Sequence, residues 1–159
     1  MPQFYESAPG IYNSQQVTPV VSAAAYSAGN VVGTLLTFTG IARDAATGGL
    51  IQSVTAAFAS GVVPSLDVIF FSASPTNSTF TNNAALAINA ADRGLVEGVA
   101  HLSDSTLLGA SAPSLVQAQN LALAFAGLTA GTLYAVVVAR SAVTLTSTSD
   151  LVLSVSVVQ

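Results

Sequence analysis

The chain has 159 residues, of which three are Arg, seven are Asp or Glu and none is Cys or Trp, and its net charge is −4. Hydrophobic residues make up 52% of the chain and charged residues 6%, whereas disordered chains combine low hydrophobicity with high net charge. The lack of thiols excludes a disulfide framework and a Cys-ligated zinc site, and three arginines are too few for a nucleic-acid-binding surface.

Membrane insertion is one alternative that this composition raises. A spanning helix needs about 20 mostly apolar residues in a row. The longest uninterrupted apolar run, Leu133–Ala139, has only seven residues and ends at Arg140. An eight-stranded outer-membrane barrel is a weaker alternative, because several predicted strands are apolar on both faces and the aromatic residues form no paired girdles. Residues 1–10 lack the basic and apolar regions of a signal peptide, so no export signal is predicted.

Residues 1–16 form the first distinct segment. They combine Pro, Gly and Ser with Phe4, Tyr5 and Tyr12, and they show no hydrophobic period. This pattern predicts an extended N-terminal arm, followed by a single domain over residues 17–159. Because aromatic residues anchor many protein interfaces, we expect the three aromatic side chains to contact a neighbouring subunit. The alternative is a disordered tail.

The rest of the chain is predicted to consist of β-strands. Apolar and β-branched runs recur with Gly, Pro, Asn or Ser between them, which is typical of all-β proteins. The eight predicted strands span residues 17–25, 31–40, 50–59, 65–73, 94–102, 115–125, 132–141 and 150–158.

The two faces of these strands differ in polarity. In the last strand the odd positions from 151 to 157 are all apolar, which predicts a half-buried strand. The strands at 65–73 and 132–141 are apolar on both faces, so their outer faces need a cover from a loop or a neighbouring chain. We expect an interface there, and its predicted residues are Ile69, Phe71, Tyr134 and Val136.

Helix is predicted only at residues 84–91, with Asn82 or Asn83 as the N-cap. A helix of about eight residues is marginal unless it is packed against other elements. The predicted fold class is therefore all-β: an eight-stranded antiparallel β-sandwich, jelly-roll-like, with at most one short helix near residues 84–91. An eight-stranded up-and-down barrel is the second choice.

The residues that could carry chemistry are few. His101 is the only histidine, and although Ser103 and Asp104 are close in sequence, no Gly-x-Ser-x-Gly pattern accompanies them. The carboxylates are scattered, and Asp67 and Asp150 are expected to be solvated or bonded within turns. The Asn77-Ser78-Thr79 acceptor pattern is interpreted as a turn. We therefore predict no enzyme activity, no cofactor and no metal site.

Several segments resemble the capsid decoration, or cement, proteins of tailed bacteriophages. They are Tyr26-Ser27-Ala28-Gly29-Asn30-Val31-Val32-Gly33, Gly49-Leu50-Ile51-Gln52-Ser53-Val54, Leu66-Asp67-Val68-Ile69-Phe70-Phe71, Ser78-Thr79-Phe80-Thr81-Asn82-Asn83-Ala84-Ala85-Leu86, Leu133-Tyr134-Ala135 and Ser149-Asp150-Leu151. These are strand and turn patterns, not catalytic signatures. Asn30 departs from the family pattern, which more often has Asp there.

The resemblance implies a structural virion protein on the outer surface of the capsid. Its partners would be the major capsid protein and further copies of itself, with a trimer favoured and a dimer as the alternative, and with neither nucleic acid nor membrane involved. The low charge agrees with a subunit that works in an assembly. The other hypotheses are a carbohydrate- or receptor-binding β-sandwich module of a phage fibre, which the absence of Trp disfavours, and a hydrolase that uses His101.

Overall fold

The computed structural model describes residues 12–43 and 48–159. Within them lie eleven strands and two short 3-10 helices, the latter at Ala90–Leu95 and Thr129–Gly131. The strands are β1 (Tyr12–Val17), β2 (Ala25–Tyr26), β3 (Leu36–Phe38), β4 (Gly49–Phe58), β5 (Leu66–Phe71), β6 (Val96–Leu102), β7 (Asp104–Leu107), β8 (Ser114–Phe125), β9 (Leu133–Ala139), β10 (Val143–Thr144) and β11 (Leu151–Val158).

Two antiparallel sheets form the body of the molecule. The five-stranded sheet has the order β1-β11-β4-β8-β7, and the four-stranded sheet has the order β3-β9-β5-β6. Along the chain, β1 pairs with β11, β3 with β9, β4 with β8 and β5 with β6, as in a long hairpin rolled up on itself. This is the arrangement of a jelly roll, so the predicted eight-stranded antiparallel sandwich is confirmed, with β7 added at one edge.

The main core lies between the two sheets. The odd positions of β11 from 151 to 157 are fully buried, as the alternation predicts, and they share one apolar cluster with Phe58 of the same sheet and with Phe38 and Phe70 of the other sheet. Burial of each large apolar side chain contributes about 1.5–3 kcal/mol. The cluster contains residues of both sheets, so packing of apolar side chains holds the two sheets together.

The first predicted strand, at residues 17–25, is wrong in its position. The structure instead has β1 at Tyr12–Val17 and β2 at Ala25–Tyr26, with no strand between them. Pro19 lacks the N–H that a strand ladder requires, which explains the break. Residues 12–16 of the predicted arm are therefore a sheet strand, and the predicted residues Phe4 and Tyr5 lie outside the described residues.

The predicted strand at 31–40 is interrupted. Residues 30–32 bond to the C-terminal half of β9, and β3 pairs with its N-terminal half. Between the two parts, Gly33 has φ +89°, and a Cβ atom there would lie 2.9 Å from Pro19 Cβ. Only glycine fits both the left-handed backbone and this close approach.

The predicted helix segment, residues 84–91, is extended for most of its length. Leu86 N donates to Gly29 O at 2.9 Å and Val31 N donates to Ala84 O at 2.8 Å, so the segment bonds to the backbone of residues 29–31. The single short helical element near it is the 3-10 helix Ala90–Leu95, which Asn89 caps. Strand-like pairing therefore replaces helical bonding, and the helix begins later than the composition suggests.

Candidate functional site

The outer face of the four-stranded sheet is covered by the chain itself. Residues 72–95, here called the covering segment, connect β5 to the start of β6 and lie over this face. The Phe80 ring packs on the ring of Phe71 with centroids 5.8 Å apart. A second apolar cluster results, and its buried members are Val31, Ile69, Phe71, Phe80, Val136 and Val138.

This cover changes the interpretation of the predicted interface residues. Phe71 and Val136 are 0% exposed and Ile69 is 7% exposed, so these three side chains belong to the interior of the subunit. Tyr134 packs at the margin of the cluster and is half-buried, which leaves part of it at the surface. The sequence predicted that either a loop or a neighbouring chain covers this face, and the structure shows that a loop of the same chain does so.

Asp92 joins the two ends of the covering segment. Its carboxylate is buried and accepts hydrogen bonds from Ser78 Oγ at 2.6 Å, from Asn77 N at 3.0 Å and from Asn77 Nδ2 at 2.9 Å. The Ser78 bond is the largest of the effects on the pKa of Asp92, and together with the Asn77 bonds it lowers that pKa against the opposing effect of burial. The acceptor pattern at Asn77 thus serves as a turn, as predicted.

Asn82 fixes the middle of the covering segment. Its side-chain oxygen accepts from Tyr26 Oη and from Gly33 N, both at 2.8 Å, and its amide donates to Ser22 Oγ at 2.8 Å. Asn82 was predicted as a helix cap, but its side chain instead joins the covering segment to the loop around residues 22–33.

Asp150 performs a comparable role at the opposite end of the sandwich. Burial opposes the ionisation of Asp150, but hydrogen bonds from Thr146 and Ser60 outweigh it, so the pKa of Asp150 is lowered. The backbone N–H groups of Ser60 and Thr146 donate at 2.8 and 2.9 Å. Asp150 is therefore bonded within a turn, as expected, but it is buried instead of solvated.

Three charged or titratable residues converge on the outer face of the four-stranded sheet. Asp67 on β5 lies between His101 on β6 and Arg140, which directly follows β9. Asp67 Oδ1 is 2.6 Å from His101 Nδ1, and Asp67 Oδ2 is 3.1 Å from Arg140 Nη1. The carboxylate is nearly buried, whereas the His101 and Arg140 side chains are 68% and 59% exposed. We call these three residues the charge cluster.

The charge cluster borders a groove of about 640 Å³. Asp67 and Arg140 form its polar side, and the remaining lining is apolar or small. The full lining consists of Ala28, Gly29, Asp67, Ile69, Ala85, Leu86, Val138 and Arg140. The sequence did not reveal this groove, because its residues come from four distant segments.

The charge cluster supplies only part of a hydrolytic site. An Asp that holds the Nδ1 of a His is the usual arrangement for a general base, and here the His101 side chain is exposed. Among the described residues, no Ser or Thr hydroxyl is hydrogen-bonded to His101. Within the same residues there is also no group of three or more His, Asp or Glu side chains that could hold a metal ion.

Among the described residues, the outer face of the five-stranded sheet carries a charge only at one edge. It carries mainly Ser, Thr, Gln and small apolar side chains, and we call it the neutral face. Its polar residues bond to one another, for example Gln16 Nε2 to Ser154 Oγ at 3.3 Å and Ser156 Oγ to Ser14 Oγ at 3.1 Å. Tyr12, which is 63% exposed, lies on the outermost strand β1, and Asp104 is the charge at the opposite edge.

Comparisons with known proteins leave the family open. No protein-family model matches this sequence, and no curated protein matches it either. The resemblance to capsid decoration proteins therefore stays a prediction. In the described part of the chain, neither 3-10 helix has the length or apolarity needed to span a membrane.

Proposed function

We propose that this chain is a structural virion protein that decorates and stabilises a phage capsid by binding the major capsid protein as a homo-oligomer. The observation that carries the proposal is the neutral face, a broad sheet surface with one charge at its edge. Jelly-roll sandwiches occur in viral coat proteins and in sugar-binding proteins. Because the fold alone does not define a function, the choice between a coat protein and a sugar-binding protein depends on the properties of the surface.

The neutral face has the properties of a surface that another protein covers. Exposed sheet faces and edges of soluble proteins usually carry charges that prevent association. Charged residues are depleted at the centres of protein interfaces, since each needs a partner when it loses water. At the centre of the neutral face, Thr55 lies between Ser154 and Gln117 on the adjacent strands, and none of the three is charged.

Contacts between copies would involve the N-terminal arm. Tyr12 stands exposed at the edge of the neutral face, and residues 1–11 precede it, with Phe4 and Tyr5 among them. A trimer is the favoured state and a dimer the alternative. Many weak contacts around a shell add up through avidity, so each subunit needs only a modest affinity for the major capsid protein.

The proposal is tested by adding purified protein to expanded capsids and by sedimentation of the free protein. We expect an oligomer that binds the particles, and Thr55→Arg should weaken particle binding at least tenfold because it places an unpaired charge at the centre of the face. Ala87→Arg is the matched control, since Ala87 is exposed on the covering segment at the other side of the sandwich. A protein that is monomeric and does not bind the particles would contradict the proposal.

A further inference from the structure

The polar side of the groove has hydrogen-bonding capacity that the subunit does not use. A guanidinium has five N–H donors, and among the described residues the Arg140 side chain makes one ion pair, with Asp67. Each Asp67 oxygen has one side-chain partner, but a carboxylate offers about four acceptor positions. The groove therefore presents a hydrogen-bond donor beside an acceptor.

The charge of this pair favours a neutral ligand over an ion. Asp67 and Arg140 compensate each other, and the chain as a whole has a net charge of −4. A bare anion would lose water without gaining a net positive charge. Two adjacent hydroxyl groups suit the pair better, because one hydroxyl can accept from the guanidinium while the other donates to the carboxylate.

The rest of the groove provides an apolar floor with open space above it. Leu86, which is half-buried, supplies apolar surface next to Gly29 and Ala85, whereas Ile69 and Val138 are almost fully buried. A Cβ atom built at Gly29, which has φ +90°, would meet nothing within 4 Å, so the space at this position is open. The C–H face of a sugar ring could lie on such a floor.

Backbone pairing holds the floor in place before a ligand arrives. Gly29 N donates to Ala139 O at 2.7 Å, and Gly29 O accepts from Leu86 N at 2.9 Å. His101 acts as a positioning residue, because its Nδ1 holds the Asp67 carboxylate from the side opposite Arg140. A preformed site saves the free energy of ordering its parts, which matters for a small ligand.

We propose that this groove binds a neutral saccharide, with a pair of adjacent hydroxyls on Asp67 and Arg140 and the ring face on Leu86. The volume of about 640 Å³ lies within the range of small-molecule sites, about 300–1,000 Å³. A single sugar ring in an open groove binds with a Kd on the order of millimolar. The site is a property of the single subunit and does not depend on attachment to a capsid.

The test is an NMR titration of the isotopically labelled full chain with a panel of neutral monosaccharides. His101 is the only histidine, so its ring gives one set of signals next to the site. At least one sugar should shift the His101 ring signals and the amides of residues 28–29 and 85–86 in a saturable way. Titration with sodium acetate and phosphate should leave them unchanged.

Matched variants locate the site. Ala85→Leu narrows the groove and should weaken binding at least fivefold, whereas Ala87→Leu, two residues away and outside the groove, should bind like the wild type. Arg140→Gln should weaken binding at least tenfold. If the Arg140→Gln variant does not fold, the comparison of Ala85→Leu with Ala87→Leu still decides the test. The proposal fails if no sugar shifts these signals, if acetate or phosphate alone does so, or if Ala85→Leu binds like Ala87→Leu.

Discussion

At the residue scale, buried carboxylates act as structural centres in a chain that has few charges. Asp150 accepts hydrogen bonds from both the backbone and the side chains of Ser60 and Thr146. It thereby joins the end of β4 to the turn before β11. Asp92 joins the two ends of the covering segment in the same way. Each carboxylate is itself buried, and the several hydrogen bonds that it accepts offset the cost of removing its charge from water.

Asp150→Ala is expected to destabilise the protein by about 2–4 kcal/mol, because it removes the buried carboxylate that accepts hydrogen bonds from the N–H and hydroxyl groups of Ser60 and Thr146. The measurement is the free energy of unfolding from urea denaturation. Asp104→Ala is the matched control, since Asp104 is exposed, and its effect should stay within about 0.5 kcal/mol. Equal effects of the two variants would show that the Asp150 bonds do not contribute to stability.

At the element scale, the covering segment is the feature that the sequence predicted least well. The alternation of Leu86 and Ile88 places both on the sheet, which is a strand-like period, whereas the Ala-rich composition favoured a helix. The pairing of this segment with residues 29–31 depends on a contact across more than 50 positions, such as that between Asn30 and Asn83. Local propensity carries no information about such a contact.

Phe80→Ala tests whether the covering segment is a stable part of the subunit. The variant removes the ring that packs on Phe71 and should lower the free energy of unfolding by about 3 kcal/mol. Hydrogen exchange should then accelerate for the amides of residues 29–31 and 83–86, while those of β11 change only with global stability. Val63→Ala, at an exposed position, is the control. Unchanged exchange in residues 83–86 would mean that Phe80 does not hold the segment in place.

At the scale of the whole molecule, two buried carboxylates predict how the stability of the protein responds to pH. The pKa values of Asp92 and Asp150 are lowered in the folded state, so the unfolded chain binds more protons in acid. The contribution of these two carboxylates to stability is therefore complete above the unfolded pKa of about 3.9, and it is lost as the pH falls below that value. The urea midpoint of the wild type should be lower near pH 3 than at neutral pH. This difference should be smaller for the Asp92→Asn, Asp150→Asn double variant. An equal acid response of both proteins would contradict this linkage.

The neutral face also predicts how the proposed assembly responds to salt. Because its one charge lies at the edge, binding to the major capsid protein should change less than about threefold between roughly 0.05 and 0.5 M salt. Cosedimentation with particles at several salt concentrations measures this. A steep loss of binding with salt would place the contact elsewhere, on a surface with charged residues such as the charge cluster.

The sequence by itself determined the fold class, and it correctly located most strands. Its information is local: alternation at 151–157 correctly reports one buried face, whereas the predicted strands ran through Pro19 and Gly33, where the structure breaks them. Tertiary structure decided which residues are neighbours. It placed Ile69, Phe71 and Val136 under a segment of their own chain, and it brought Asp67, His101 and Arg140 together from β5, β6 and the end of β9. These contacts depend on the register between distant strands, which no spacing along the chain encodes.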